Sequence, residues 1–202
     1  MKLLLVRHGQ CETNLGSRFQ GQVDSPLTEL GRKQARAAAE KLKHEPIAAV
    51  YSSDLSRARD TAAPIAEALG LPVHATPLLR ECHIGDIQGW TRDEFRERYP
   101  DLCARWEADP IAHRPPGAER FEEVIERCGE FIRHVTEAHG PGDTVLAAVH
   151  YGSLSGLICA ALELPVPAIL KFHAANASLS ILETGAATAL HVLNDTSHLR
   201  GL

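Results

Sequence analysis

The 202-residue sequence predicts an α/β fold. The expected architecture is a three-layer α/β/α sandwich around a mostly parallel six-stranded sheet, with one strand antiparallel. Three observations predict it. Short apolar runs of strand length alternate with apolar stripes of helical period. Two apolar runs near the C-terminus are separated by a short link containing Gly185, which favours an antiparallel pair. A stretch at about 77–118, punctuated by Gly, Pro and polar residues, interrupts the alternation and reads as a helical insertion over the site. The length favours one domain over 1–202, with ample chain for a core.

The elements follow in order. Lys2 to Val6 is a short strand, apolar on both faces and so buried. A loop runs to Pro26. Leu27 and Thr28 then form a staple and N-cap for a helix over Glu29 to Lys43. Ile47 to Tyr51 is the next strand. Ser53 or Asp54 caps a helix to Leu69, with Gly70 as its C-terminal stop and a kink expected at Pro64. Val73 to Thr76 is a short strand. The insertion holds helical pieces near Arg92–Tyr99 and Leu102–Ala108. A strong apolar stripe through Phe121, Val124, Cys128, Ile132 and Val135 predicts a helix from Glu119 to Ala138. Thr144 to Val149 is a buried strand followed by a helix through Leu162. Strands over Leu179–Leu182 and Ala189–Leu193 close the chain.

Composition excludes several functional classes. Lys+Arg total 21 and Asp+Glu 26, giving a formal charge of −5 and a pI near 6.1. That balance lacks the basic footprint of a nucleic-acid partner. The run Leu3–Val6 ends at Arg7, too short for a signal peptide or a membrane span, so no membrane partner is expected. Five irregularly spaced cysteines with no C-x-x-C argue against a disulfide framework or a thiolate zinc site and fit a reducing cytoplasm. No phosphate-binding glycine loop of the nucleotide-binding kinds occurs.

In a parallel sheet, ligands sit beyond the C-terminal strand ends. Arg7-His8-Gly9 follows the first strand, Arg57 lies one turn beyond the second, and His150 follows the strand ending at Val149. Singly, each has an ordinary structural explanation. Together they put one planar cationic fork, a second, and two imidazoles on one edge, a set suited to phosphoryl oxygens.

These residues lie in four ordered blocks. They are Leu5-Val6-Arg7-His8-Gly9 with Asn14 and Asp24–Thr28; Ser52–Ala58 with Thr61-Ala62; Leu79-Arg80-Glu81 with Gly85 and Gly89; and Val149-His150 with Gly152. Together they resemble the histidine phosphatase superfamily, the phosphoglycerate-mutase-like enzymes, over nearly the whole chain. The resemblance implies a phosphomonoesterase needing no metal and no cofactor. By position, His8 is the nucleophile, Arg7, Arg57 and His150 clamp the phosphoryl oxygens, and Glu81 is the acid and base. Asn14 and Gln20 are implied supporting contacts. A nucleophilic imidazole needs an acceptor on its other nitrogen, and the Gly9 carbonyl is the expected one.

The stretch Ala187–Asp195, with Leu193-Asn194-Asp195, is similar to the α-ribazole phosphatase branch of cobalamin synthesis. The partner is thus a small phosphorylated metabolite, with α-ribazole 5′-phosphate the leading substrate. Phosphoserine phosphatase and cofactor-dependent phosphoglycerate mutase are the enzymatic alternatives. A phosphometabolite-binding module without turnover is the non-enzymatic one. The C-terminal strand offers an edge for a homodimer.

Four departures from the family pattern stand out: Gln10-Cys11 after the first block, Gln88 before Gly89, Tyr151 after His150, and Arg120 where a serine is usual. Arg120 and Tyr151 are candidate substrate contacts near the expected mouth. His83 and His173 are candidate pocket residues. Trp90 and Trp106 read as packing anchors.

Overall fold

The computed structural model describes residues 1–16 and 18–202. Among these residues six strands form one sheet: β1 (Lys2–Arg7), β2 (Ile47–Ser53), β3 (Val73–Thr76), β4 (Thr144–Val149), β5 (Leu179–Glu183) and β6 (Ala189–Asp195). Their order is β3-β2-β4-β1-β5-β6. β3, β2, β4 and β1 pair in parallel. β5 runs against both β1 and β6, which makes it the single reversed strand.

Among the described residues seven α-helices accompany the sheet: α1 (Glu12–Leu15), α2 (Glu29–Leu42), α3 (Ser56–Leu69), α4 (Arg92–Arg98), α5 (Pro100–Ala108), α6 (Phe121–Ala138) and α7 (Tyr151–Ala161). The pleat divides the core in two. Leu3 and Leu5 of β1, with Val145, Ala147 and Val149 of β4, pack on α6 and α7. Leu4, Val6, Leu146 and Ala148 point the other way, onto Ala38 of α2 and Ala58 and Ile65 of α3. Both faces of the central strands are covered, as their unbroken apolar runs require. Each fully buried Leu here contributes about 1.5–3 kcal/mol of transfer free energy.

Several details depart from expectation. The loop before Pro26 contains α1. Helix α3 starts at Ser56 with Leu55 as its N-cap, because the two expected caps are engaged elsewhere. The Ser53 hydroxyl accepts from the Leu55 N–H, and the Asp54 carboxylate takes both arms of Arg80 at 2.8 and 2.6 Å. The helix continues through Pro64 and stops at Gly70, whose φ of 67° is the left-handed conformation expected of it. Helix α6 begins two residues later than predicted. There the Glu123 carboxylate accepts from the Arg120 N–H at 2.7 Å and closes the helix start.

The insertion packs as a satellite. Ile87, Phe95 and Cys103 are buried in it, with Phe19, Trp90 and Trp106 against them. Both tryptophans therefore serve packing, and Trp106 also reaches the cavity described below. All five cysteines are buried free thiols, and burial pushes Cys128 up to about 12. Among the described residues no helix is long and apolar enough to cross a membrane.

Candidate active site

The sheet builds the site by register. Arg7 of β1 pairs with Val149 of β4, so the next residue of each strand, His8 and His150, emerges side by side. The His8 N–H donates to the Val149 carbonyl at 2.8 Å, and the two imidazole centroids lie 5.1 Å apart. Arg57, in the first turn of α3 beyond β2, reaches the same place and is fully buried. Its Nε donates to His150 Nδ1 at 3.1 Å. Its Nη atoms donate to the carbonyls of Val23 and Gly21 at 2.9 and 2.8 Å.

These bonds fix both tautomers. His8 Nδ1 lies 2.8 Å from the Gly9 carbonyl, so it carries the proton and leaves Nε2 with a lone pair. His150 Nδ1 accepts from Arg57, so its proton is on Nε2. Burial, then the Arg7 and Arg57 charges, hold the His8 pKa well below the ordinary imidazole value. His150 is held down by burial and then by His8 and the two arginines. Two neutral histidines thus stand between two cations, one presenting a lone pair and the other an N–H.

Neither Arg7 nor Arg57 makes an ion pair among the described residues; one Nη of Arg7 donates to the Ala174 carbonyl at 2.5 Å. Arg7 Nε and His150 Nε2 are buried donors with no partner among the described residues. Unpaired buried donors and charges are costly. A tetrahedral oxyanion bound there would relieve all of them at once.

Glu81 stands at the edge of this site. Its Oε1 accepts from the backbone N–H groups of Cys82 and Gly152, both at 2.8 Å. The second contact needs Gly152, where an added Cβ would lie 2.3 Å from Glu81 Oε1. Gly9 is constrained more severely, since a Cβ there would meet the Gly31 carbonyl oxygen at 2.6 Å. That clash accounts for glycine in Arg7-His8-Gly9 by packing alone.

A cavity of about 310 Å³ opens over His8, a size typical of small-molecule sites. Arg7, His8, Asn14, Gln20, Glu81 and Tyr151 all line it. Arg57 and His150 do not; they are fully buried beside His8. Asn14 Oδ1 accepts from the Cys11 N–H at 3.0 Å. The Cys11 thiol donates to the same oxygen at 3.1 Å, doing the work of a hydroxyl. Gln88 braces the neighbouring turn: its Oε1 accepts from the Gln22 N–H at 2.7 Å, next to the carbonyl that holds Arg57. Tyr151 lies under the Arg7 guanidinium, 5.6 Å from its ring centroid.

Arg120 requires correction. It lies off the cavity, largely exposed, and pairs with Glu123 at 2.9 Å across one helical turn. His173 is likewise exposed and off the lining, whereas His83 lines it. The sequence reading missed Arg114, Phe19 and the Ile169–Leu170 turn, all of which reach the cavity. Phe121 was visible only as part of a helix stripe.

A family model described as the histidine phosphatase superfamily (branch 1) matches residues 3–196. The chain belongs to the histidine phosphatase superfamily. As a histidine phosphatase it is a hydrolase of phosphoric monoesters. A glucosyl-3-phosphoglycerate phosphatase of Mycobacterium tuberculosis is 40% identical over 173 residues, covering 82% of this chain and 77% of that one. Phosphoserine phosphatase 1 of Hydrogenobacter thermophilus is 34% identical, covering 98% and 94%. The mycobacterial glucosyl-3-phosphoglycerate phosphatase structure complexed with VO3 superposes with a TM-score of 0.87 at 35% identity, covering 96% and 99%. A putative α-ribazole-5′-phosphate phosphatase from Escherichia coli gives 0.89 at 28%, covering 96% of each chain.

Two outcomes follow for this histidine phosphatase. Gly152→Ala pushes against the tip of a flexible carboxylate, so the fold should survive while Glu81 moves. The expected result is a kcat loss of about 10²-fold with Tm nearly unchanged, measured by steady-state kinetics and thermal melts. Wild-type kcat in the variant would contradict this use of Gly152. Second, His8 and His150 should show no ring titration near the usual pKa of about 6.5 when followed by NMR in phosphate-free buffer. Because their folded-state pKa values are depressed, acid protonates the unfolded chain first. Their contribution to stability is therefore full above that value and is lost as pH falls below it. Ordinary titration of both rings would contradict the buried neutral pair.

Proposed function

We propose that this chain hydrolyses a small phosphorylated metabolite through a phosphohistidine on His8. The observation that carries the reading is two buried donors without a partner among the described residues, Arg7 Nε and His150 Nε2, which stand with the buried Arg57, a cation without an ion pair there, around the neutral, tautomer-fixed His8. The His8 Nε2 lone pair attacks phosphorus, and the phosphorus–oxygen ester bond breaks with its electrons on the leaving oxygen. Glu81 donates the proton that oxygen takes. Arg7, Arg57 and His150 hold the three phosphoryl oxygens and stabilise their charge. Water then attacks phosphorus, Glu81 accepts its proton, and the nitrogen–phosphorus bond breaks. Asn14, Gln20 and Tyr151 contact the bound ester from the cavity wall.

Known structures support the anion site: the mycobacterial relative has been solved with VO3 and with inorganic phosphate. For the substrate, the C-terminal resemblance favours α-ribazole 5′-phosphate. The names of the relatives add glucosyl-3-phosphoglycerate and phosphoserine. A cytoplasmic setting fits the five reduced thiols.

A panel of these esters and 3-phosphoglycerate, with product identification and excess chelator throughout, tests the reading. The expected result is release of inorganic phosphate at a rate insensitive to chelation, because protein cations supply the positive charge. Binding without phosphate release would overturn it in favour of a sensing module. A phosphoryl group moved between positions, without release, would overturn it in favour of a mutase.

A further inference from the structure

Beyond the anion site, the cavity wall is mostly apolar. Phe19, Trp106 and Phe121 supply aromatic surface, and Ile84, Ile169 and Leu170 aliphatic surface. Such a wall favours an apolar body and penalises hydroxyls that find no partner. Two charged side chains of the 109–120 segment also line it, Arg114 and Glu119. Glu119 is already engaged: Arg127 holds both its oxygens at 2.6 and 3.1 Å, and the His83 N–H donates to it at 3.1 Å. The next carboxylate, Glu123, is taken by Arg120. Arg114 is half-buried and forms no ion pair or hydrogen bond among the described residues.

The backbone that carries Arg114 is pinned. Pro115 is buried, the Pro116 carbonyl accepts from the Asp86 N–H at 3.0 Å, and the Glu119 N–H donates to the His83 carbonyl at 2.7 Å. An arginine that lines an apolar wall from a pinned backbone, with its neighbouring carboxylates occupied, is suited to reading anions.

We propose that this chamber selects phosphomonoesters whose alcohol carries an apolar ring and a second anionic group, and that Arg114 is the specificity-determining residue for that group. The inference rests on the phosphomonoesterase reading and departs from it on the substrate, since α-ribazole 5′-phosphate has the ring without a second anion and phosphoserine the carboxylate without the ring.

Three esters of similar alcohols separate the two features. Ethyl phosphate lacks the ring, benzyl phosphate has it, and 4-carboxybenzyl phosphate adds the anion. The expected order of kcat/KM is 4-carboxybenzyl above benzyl above ethyl, each step about tenfold. Arg114→Gln is expected to erase the ratio between the first two, and Leu170→Gln to erode the ratio between the last two. Arg120→Ser should leave both ratios as they are. A carboxylate preference that is absent in the wild type, or that survives Arg114→Gln, overturns the proposal.

Benzylphosphonate and its 4-carboxy analogue have no cleavable ester, so calorimetry on them reads the chamber independently of turnover. Preferential binding of the carboxy analogue, lost in Arg114→Gln, supports the proposal even if no ester is hydrolysed; that second result would sink the phosphatase reading alone. Hydrolysis of all three esters without preference would sink the chamber proposal alone.

Discussion

Replacing His8 with alanine is expected to lower kcat/KM by about 10⁴-fold or more, since the covalent route disappears with the imidazole. The substitution leaves a small void beside Arg7, Arg57 and His150. Phosphate should still bind there, because its donors remain. Activity and phosphate affinity should therefore part company. The check is steady-state kinetics beside calorimetric titration with inorganic phosphate. A variant that turns over within tenfold of wild type would remove His8 from the chemistry.

Glu81→Gln is expected to give the second-largest loss, about 10²–10⁴-fold in kcat, the usual range for a missing general acid or base. The amide retains an acceptor for the Gly152 and Cys82 N–H groups, so the local backbone should hold. What it lacks is a proton to give the leaving oxygen. The deficit in the phosphorylation step should therefore shrink for a nitrophenyl ester, whose leaving group departs as a stable anion. Burst kinetics across alkyl and nitrophenyl esters measure this. Equal losses for every leaving group would deny Glu81 the acid assignment.

Much of this site was legible before the fold because one rule carries it. Parallel strands point the same way, so residues directly after β1 and β4 share an edge. The Arg7–Val149 register then makes His8 and His150 neighbours. Even the Gly9 carbonyl as acceptor for His8 was predictable, since a tight turn after a strand offers its own backbone first.

What stayed hidden depends on contacts distant in sequence. Arg120 and Arg114 are six residues apart in a loop whose path has no period to read. The path is set by the Pro115 turn and by the pairing of Ile84 with Ala118, and these bring Arg114, not Arg120, to the cavity. Asp54 has the chemistry of an N-cap, but Arg80, 26 positions away, takes it instead. The four residues of α1 are too few to show a helical stripe. The apolar wall draws on Phe19, Trp106 and Leu170 from three separate segments, each of which reads as ordinary packing on its own.

The central claim is that the phosphoryl group rests on His8 Nε2 during turnover. Rapid quenching of the enzyme with a ³²P-labelled ester, followed by alkaline peptide mapping and mass spectrometry, tests it most directly. The account predicts one acid-labile, base-stable phosphoryl group on the peptide containing His8, formed and discharged at rates that support kcat. Turnover without label on His8, or label on His150 instead, would contradict it.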